Sequence, residues 1–142
     1  MLRTVLVVED DRPTHALFIA VVHRCGFESS SAFDGPSALR RVREETPEAI
    51  ILDLLLPTLN GFQILREIKA FAPEMLSRIV VVTAASESTY RECVELESVH
   101  AILRKPFNVD QLEDVLRRMI DAPATLPKKK MRDGGTMRLK ID

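Results

Sequence analysis

The sequence predicts an α/β fold in which helices cover both faces of a parallel sheet. Short apolar runs rich in β-branched residues alternate about five times with amphipathic helical stretches. The run that starts at Ala49 is apolar until it reaches Asp53, as is typical of a strand buried on both faces. A length of 142 residues is enough for one domain with a real core.

Turn residues separate each predicted strand from the helix that follows it. The second strand has the weakest pattern, and the third leads into Asp53, Pro57 and an Asn-Gly turn. The predicted strands are Thr4–Val8, Phe27–Ala32, the run from Ala49 to Asp53, Ile79–Val82 and Ala101–Leu103.

The first helix is predicted from its capping residues and from apolar residues at four-residue spacing. Pro13 suits the first turn, an aspartate before it suits the N-cap, and Gly26 suits the position after the C-terminal end. The spacing predicts a buried face that contains Leu17, Val21 and Cys25.

Four more helices are predicted from similar signals. The second starts after Asp34, and the third runs from the Asn-Gly turn to near Phe71. The fourth is predicted from Ser86 to Leu96, and Asn108 caps the fifth. The apolar positions of these helices are Ala38, Leu39, Val42, Phe62, Ile64, Leu65, Ile68, Tyr90, Val94, Leu96, Leu112, Val115, Leu116 and Met119.

The composition indicates a globular chain with a basic end. Hydrophobic residues make up 46% and charged residues 29%, which is the range of folded domains. The net charge is −1, yet residues 128–142 carry six basic and two acidic side chains, so the remainder is mildly acidic and does not suggest a nucleic-acid groove. We expect a domain over residues 1–121, then a linker and basic tail over 122–142 that is flexible or leads into a missing segment.

The location predicted from the sequence is the cytoplasm. No apolar run is long enough to span a membrane, and the N-terminus lacks a signal-peptide pattern because Val8 leads directly into acids. Cys25 and Cys93 lie far apart without metal-ligand spacing, which predicts free thiols in a reducing compartment. The sequence leaves open whether the chain forms a homodimer.

Polar side chains follow four of the predicted strands at the points where these strands end. Acids after a strand are usually helix caps, a threonine there usually bonds a nearby carbonyl, and a lysine before proline is usually solvated. Because the carboxyl ends of parallel strands share one edge, we expect these side chains to meet. Their coincidence predicts a functional site. The residues are Glu9, Asp10, Asp11, Asp53, Thr83 and Lys105.

The chemistry of this set points to phosphoryl transfer. Clustered carboxylates repel one another, and Mg²⁺ suits a site with two or three protein oxygens and several waters. Asp53 is a competent phosphoryl acceptor because a carboxylate can form an acyl phosphate. The metal, the Lys105 ammonium and the Thr83 hydroxyl would neutralise the phosphoryl oxygens.

With these residues in order, the chain resembles the receiver domain of two-component response regulators. The resemblance covers about residues 3–121 and rests on Val-Val-Glu-Asp-Asp, Leu-Asp-Leu-Leu-Leu-Pro-Thr-Leu-Asn-Gly, Val-Thr-Ala and Lys-Pro-Phe. It implies a flavodoxin-like fold with strand order 2-1-3-4-5. It also implies a signalling switch rather than an enzyme, which receives a phosphoryl group from a histidine kinase or phosphotransfer protein and acts on a downstream protein.

The resemblance implies a role for each site residue. Asp53 would be the phosphoacceptor, with Thr83 and Lys105 acting on the phosphoryl group, and the bond from Lys105 to Pro106 would be cis. Asp10 would be a direct metal ligand. The full set of Mg²⁺ ligands would be Glu9, Asp10, Asp53 and the backbone carbonyl of Leu55.

Three features depart from the family pattern, and the first and third concern the output route rather than the phosphorylation site. Ile102 stands where an aromatic switch residue is usual, Ser98-Val99 replaces Gly-Ala, and no output domain is recognisable after the receiver. In addition, the resemblance implies that Leu55 and Ala85 would flank the approach of the hydrolytic water. Neither can orient a water, so we predict a long-lived phosphoform.

The phosphodonor is expected to dock on the first helix. If Leu17 and Val21 face the core, Phe18 and Val22 turn outward one turn apart beside the acidic edge, as suits helix-on-helix docking. The alternative is that Phe18 packs locally.

Two other functions compete with the signalling switch. A phosphatase of the haloacid-dehalogenase type would have a second aspartate two residues after the nucleophile, where this chain has Leu55. A receiver-like docking module that no longer takes phosphate would not need the full set of acids, threonine and lysine.

Overall fold

The computed structural model describes residues 3–91 and 93–121, and these residues form a five-stranded parallel sheet with helices on both faces. The strands are β1 (Thr4–Val8), β2 (Glu28–Ala32), β3 (Ala49–Leu52), β4 (Ile79–Thr83) and β5 (Ala101–Arg104). The α-helices are α1 (Arg12–Arg24), α2 (Gly35–Glu45), α3 (Gly61–Phe71), α4 (Glu87–Tyr90) and α5 (Val109–Asp121).

The sheet has the strand order 2-1-3-4-5, which confirms the predicted topology. Strand β3 occupies the centre and pairs with β1 on one side and β4 on the other. Successive side chains of a strand point to opposite faces, so β1, β3, β4 and β5 each contribute to two cores. One core lies against α2 and α3, and the other lies against α1 and α5.

Local signals set most helix ends where the sequence predicts them. The Asp11 side chain accepts the Thr14 amide hydrogen at the start of α1, and Asn60 and Gln63 form a reciprocal capping box at the start of α3. Gly26 follows α1 with a φ of +88°, a left-handed conformation that favours glycine. Strand β2 starts one residue later than predicted, while β4 and β5 each end one residue later.

The predicted buried face of α1 is confirmed at Val21 but wrong at Leu17, Phe18 and Val22. Phe18 and Val22 are fully buried, whereas Leu17 is 42% exposed, so the outward-facing pair predicted as a docking surface does not exist. The face centres on Phe18, whose ring lies 5.1 Å from that of Phe107. Two adjacent stripes had the same four-residue spacing, and the larger aromatic side chain gains more from burial.

The predicted long fourth helix is also corrected. The segment forms the short helix α4 and then a separate 3₁₀ helix, Val94–Glu97. Ser86 caps α4 as predicted, but Cys93 is extended and interrupts the helical path. Several residues here, including Thr89 and Val94, have low helix propensity, so interrupting the helix costs little local helical stability.

The predicted linker and basic tail over 122–142 lie outside the described residues. Within the described part of the chain, none of the helices combines the length and apolar character needed to cross a membrane. Cys25 and Cys93 form no disulfide bond with each other, as predicted.

Candidate functional site

The carboxyl edge of the sheet brings together the polar residues that follow the strands. Asp53 follows the central strand β3, and its backbone amide donates to the Val8 carbonyl at the end of β1. Thr83 ends β4, and its carbonyl accepts the Lys105 amide hydrogen at 2.9 Å. This backbone pairing holds the ends of neighbouring strands level with one another, so their side chains share one site.

Asp53 is a buried carboxylate with a partner for each oxygen. Only 4% of the residue is exposed. Its Oδ1 accepts the Leu55 amide hydrogen at 3.1 Å, and its Oδ2 lies 3.1 Å from the Lys105 ammonium. Burying an unpaired carboxylate is costly, and these two contacts offset that cost.

Lys105 pairs with a second buried carboxylate, that of Glu9. The distance from Lys105 Nζ to Glu9 Oε1 is 2.9 Å, and Glu9 Oε2 accepts the Asp11 amide hydrogen at 3.1 Å. Burial raises the pKa of Glu9 above its ordinary value, although the hydrogen bond from Lys105 opposes this effect.

The environment of Lys105 favours its charged form. Burial lowers the pKa of its ammonium, but the hydrogen bond to Glu9 and the negative charge of Asp53 outweigh burial and raise it. Lys105 is therefore a fixed positive charge beside both buried carboxylates. The bond from Lys105 to Pro106 is cis, as the resemblance implied.

Three carboxylates form a cluster that fits a hard divalent cation. Glu9, Asp10 and Asp53 each offer an oxygen, and these oxygens all lie within 4.8 Å of one another. The donors are all oxygen, which is the ligand type that Mg²⁺ prefers. Asp10 is exposed while the other two are buried, so the cluster opens to solvent on the Asp10 side.

Three further predicted residues, Thr83, Leu55 and Ala85, lie at or just after the carboxyl ends of β3 and β4. Thr83 is fully buried, and its hydroxyl oxygen accepts the Ala85 amide hydrogen at 3.1 Å while keeping its own hydrogen to donate. Leu55 follows the strand end, and its side chain is exposed, with 49% of the residue accessible to solvent. Ala85 is buried.

His15 lies against this site and was missed by the sequence analysis. It is buried near the start of α1, and its Nδ1 lies 2.9 Å from the Glu9 carbonyl oxygen. A signal was available, because His15 stands three residues before Phe18 and so belongs to the same buried helix face. The role of His15 was missed because the sequence analysis placed Phe18 on the exposed side of the helix.

The chain matches the family model described as "Response regulator receiver domain" over residues 5–117. Among curated relatives, it is 27% identical over 117 residues to the sporulation initiation phosphotransferase F of Bacillus subtilis, covering 82% of this chain and 92% of that protein. It is 34% identical over 131 residues to the DNA-binding response regulator MtrA of Mycobacterium tuberculosis. That alignment covers 89% of this chain but only 56% of MtrA, so the chain spans about half of that relative.

Solved structures show the same fold. The receiver domain of a sensor histidine kinase from Pseudomonas aeruginosa, described with a magnesium ion coordinated in the active site cleft, has a TM-score of 0.75 and 28% identity. The match covers 86% of this chain and all of that domain. The family match over most of the chain, the sheet order and the acidic edge agree, and the chain belongs to the response regulator receiver domain family.

Proposed function

We propose that this receiver domain accepts a phosphoryl group on Asp53 and that the product is an aspartyl phosphate. One observation carries the proposal: Asp53 directly follows the central strand, within the acidic cluster and 3.1 Å from the Lys105 ammonium. A carboxylate that lies beside both an acidic cluster and a positive charge can approach a phosphoryl group while its negative charge stays compensated.

The proposed transfer is a displacement at phosphorus. A carboxylate oxygen of Asp53 attacks, the new bond forms between that oxygen and phosphorus, and the bond from phosphorus to the donor histidine nitrogen breaks. The nitrogen retains the electron pair of the broken bond. The phosphoryl group thus moves from one residue to another without a redox change.

Lys105 and Thr83 stabilise the transferred group in this proposal. The ammonium of Lys105, now paired with Asp53 and Glu9, is already charged and can turn to a phosphoryl oxygen. The Thr83 hydroxyl accepts from Ala85 and can donate its own hydrogen to a second phosphoryl oxygen. Both groups require little reorganisation because the strand ends already hold them.

Glu9, Asp10, Asp53 and the Leu55 backbone carbonyl would hold Mg²⁺ in this site. A bound magnesium ion supplies charge neutralisation for the phosphoryl oxygens and removes the repulsion among the carboxylates. The spacing of the three carboxylate oxygens and the all-oxygen donor set support this assignment.

The partner that supplies the phosphoryl group is proposed to be a histidine kinase or a histidine phosphotransfer protein. Although Phe18 and Val22 are buried, α1 presents a different apolar stripe to solvent, at helical spacing. The stripe starts one residue after Arg12, close to the acidic edge. We define this exposed α1 stripe as Pro13, Ala16, Leu17 and Ala20.

We further propose that residues 1–121 act as the receiver unit in the cytoplasm and that 122–142 are a linker and basic tail. The family match ends at residue 117, just before this division. Cysteine thiols that form no disulfide bond, such as Cys25 and Cys93, suit a reducing compartment. Homodimer formation is a further proposal that can be tested on the phosphorylated protein.

The test is phosphorylation by acetyl phosphate with Mg²⁺, followed by intact-mass measurement of the full chain. We expect an added phosphoryl group in the wild type and none in Asp53→Asn, because the amide is a poor nucleophile. Glu9→Gln is the matched control, since it removes a neighbouring buried charge but leaves the acceptor. We expect it to be phosphorylated, only more slowly.

Two results would contradict the assignment. If Asp53→Asn still gains a labile phosphoryl group, the acceptor is another residue. If the wild type gains none with acetyl phosphate or with a phosphorylated histidine protein, the domain is a docking module that does not take phosphate.

A further inference from the structure

His15 connects α1 and β2 to the backbone of the acid pair. Its Nδ1 lies 2.9 Å from the Glu9 carbonyl oxygen, and its Nε2 lies 2.8 Å from the Ser31 hydroxyl. The ring also stacks on Phe33 with 4.3 Å between centroids. These three contacts hold the imidazole in a single place.

The contact with Glu9 has a defined direction. A carbonyl oxygen only accepts, so Nδ1 carries the hydrogen and donates it to Glu9. In the neutral ring Nε2 is then an acceptor, and the Ser31 hydroxyl can donate to it. Both ring nitrogens are satisfied, as buried polar atoms require.

The Glu9 carbonyl belongs to the planar peptide unit that joins Glu9 to Asp10. A hydrogen bond to that oxygen therefore restrains the orientation of the peptide from which Asp10 projects. The Glu9 amide donates to the Ala32 carbonyl at 3.2 Å, so β2 restrains the backbone before this peptide as well.

Asp10 has few other restraints. Its side chain is exposed, and within residues 3–91 and 93–121 no hydrogen bond to its carboxylate is found. Glu9, by contrast, is held by Lys105 and by the Asp11 amide. The direction of the Asp10 carboxylate toward a metal ion thus depends on its backbone.

We propose that His15 is a positioning residue for Mg²⁺ binding and that it acts through the Glu9 carbonyl to orient Asp10. This inference rests on the proposed function, because it concerns the metal site that supports phosphorylation. His15 touches no metal ligand side chain and takes no part in the transfer itself. Removing such an outer partner typically weakens metal binding about 10- to 100-fold.

The experiment measures the Mg²⁺ dissociation constant of the full chain by isothermal titration calorimetry, without any phosphodonor. His15→Leu removes both hydrogen bonds, and we expect binding to weaken about tenfold. His15→Asn keeps an amide donor near the position of Nδ1 but loses the Ser31 contact. We expect its affinity to recover to within about threefold of the wild type.

Ser31→Ala separates the positioning role from a merely structural one. It removes the partner of Nε2 and leaves the bond to Glu9, so we expect a lower melting temperature with nearly unchanged Mg²⁺ affinity. If His15→Leu fails to fold, His15→Asn is compared with His15→Gln, whose longer amide reaches toward Ser31. We then expect the asparagine variant to bind Mg²⁺ more tightly.

Some outcomes would overturn the inference. Binding by His15→Leu within twofold of the wild type would do so, as would equal weakening in the leucine and asparagine variants, or equal affinities in the asparagine and glutamine variants. The proposed function fails separately, if the wild type binds Mg²⁺ but gains no phosphoryl group from acetyl phosphate, whereas the Mg²⁺ affinities of the His15 variants still decide the inference.

Discussion

At the residue scale, the site depends on one lysine that serves two buried carboxylates. Lys105 lies 2.9 Å from a Glu9 oxygen and 3.1 Å from an Asp53 oxygen. Removing one member of a buried charge group leaves the others uncompensated, which is far more costly than losing an exposed ion pair. The three residues therefore act as a unit, and single substitutions within it test stability as well as chemistry.

The first prediction at this scale concerns how long the phosphoryl group persists. Leu55 is exposed beside Asp53 and has no polar atom in its side chain to hold a water in line with phosphorus. We expect Leu55→Asn to accelerate loss of the phosphoryl group about tenfold, because one positioning group for a water is worth that much or more. The measurement follows the intact mass of the phosphorylated protein with time.

Two further variants complete this experiment. Val94→Asn makes the same kind of change at an exposed site on the 3₁₀ helix and should leave the lifetime unchanged. Adding Ala85→Glu to Leu55→Asn should shorten the lifetime further, although the buried position of Ala85 makes folding the first thing to check. Unaltered decay in both Leu55 variants would mean that these positions do not set the lifetime.

At the scale of elements, the start of α3 lies against Asp53, the proposed phosphoacceptor. A Cβ atom on Gly61 would lie 2.5 Å from the Leu54 Cα and 2.8 Å from the Asp53 carbonyl oxygen. Gly61→Ala must therefore displace the backbone that carries Asp53. We expect the free energy of unfolding to fall by about 1–3 kcal/mol and acetyl phosphate to react more slowly.

Gly26→Ala provides the matched control for this change. There is nothing within 4 Å of its added Cβ, yet its φ of +88° is unfavourable for alanine, so we expect a cost of about 1 kcal/mol without any effect on phosphorylation. Denaturant unfolding and phosphorylation rates measured on both variants decide the question. If Gly61→Ala is phosphorylated at the same rate as the wild type, the substitution does not displace the backbone that carries Asp53.

Helix α1 carries the second prediction at this scale. Because Leu17 is the largest side chain of the exposed α1 stripe, Leu17→Glu should weaken docking of a phosphodonor protein by about 1.4 kcal/mol, which is tenfold. The measurement compares phosphoryl transfer from phosphorylated histidine phosphotransfer proteins with transfer from acetyl phosphate. Val94→Glu is the matched control on another face, and it should transfer normally. Equal slowing with both donors would argue against docking on α1.

At the scale of the whole molecule, a signal from the proposed phosphorylation of Asp53 would travel without an aromatic switch. Ile102 replaces the usual aromatic and is buried in the same core as Tyr90. The ends of β4 and β5 are connected directly by a backbone hydrogen bond, in which the Thr83 carbonyl accepts the Lys105 amide hydrogen. A β-branched aliphatic has few rotamers, so we expect backbone shifts rather than a rotating side chain to carry the signal.

Beryllofluoride, a phosphoryl analogue, tests this route by nuclear magnetic resonance. We expect amide resonances of Ala85 and Lys105 to change, with further changes near Tyr90. In Asp53→Asn these changes should be absent. Changes limited to the residues that hold the metal ion would contradict propagation through β4 and β5.

The sequence determined those features that depend on residues close together in the chain. Alternating apolar runs predicted the parallel sheet, and capping residues such as Asp11 and Asn60 predicted where helices start. The order of the strands was predicted through the family resemblance. The meeting of the candidate site residues was predictable because each stands at or just after the end of a strand, and the parallel topology brings Asp53, Thr83 and Lys105 to one edge.

Only the tertiary structure decided questions in which two local patterns were equally good. Leu17 and Phe18 both fitted a four-residue repeat, and contact with Phe107 determined that Phe18 is buried. The segment after Ser86 had an apolar pattern typical of a helix, yet it packs as α4 and a 3₁₀ helix. His15 acquired its significance only when β2 and the end of β1 met around it. In each case the deciding energy comes from packing between elements distant in sequence, which local propensity and spacing do not contain.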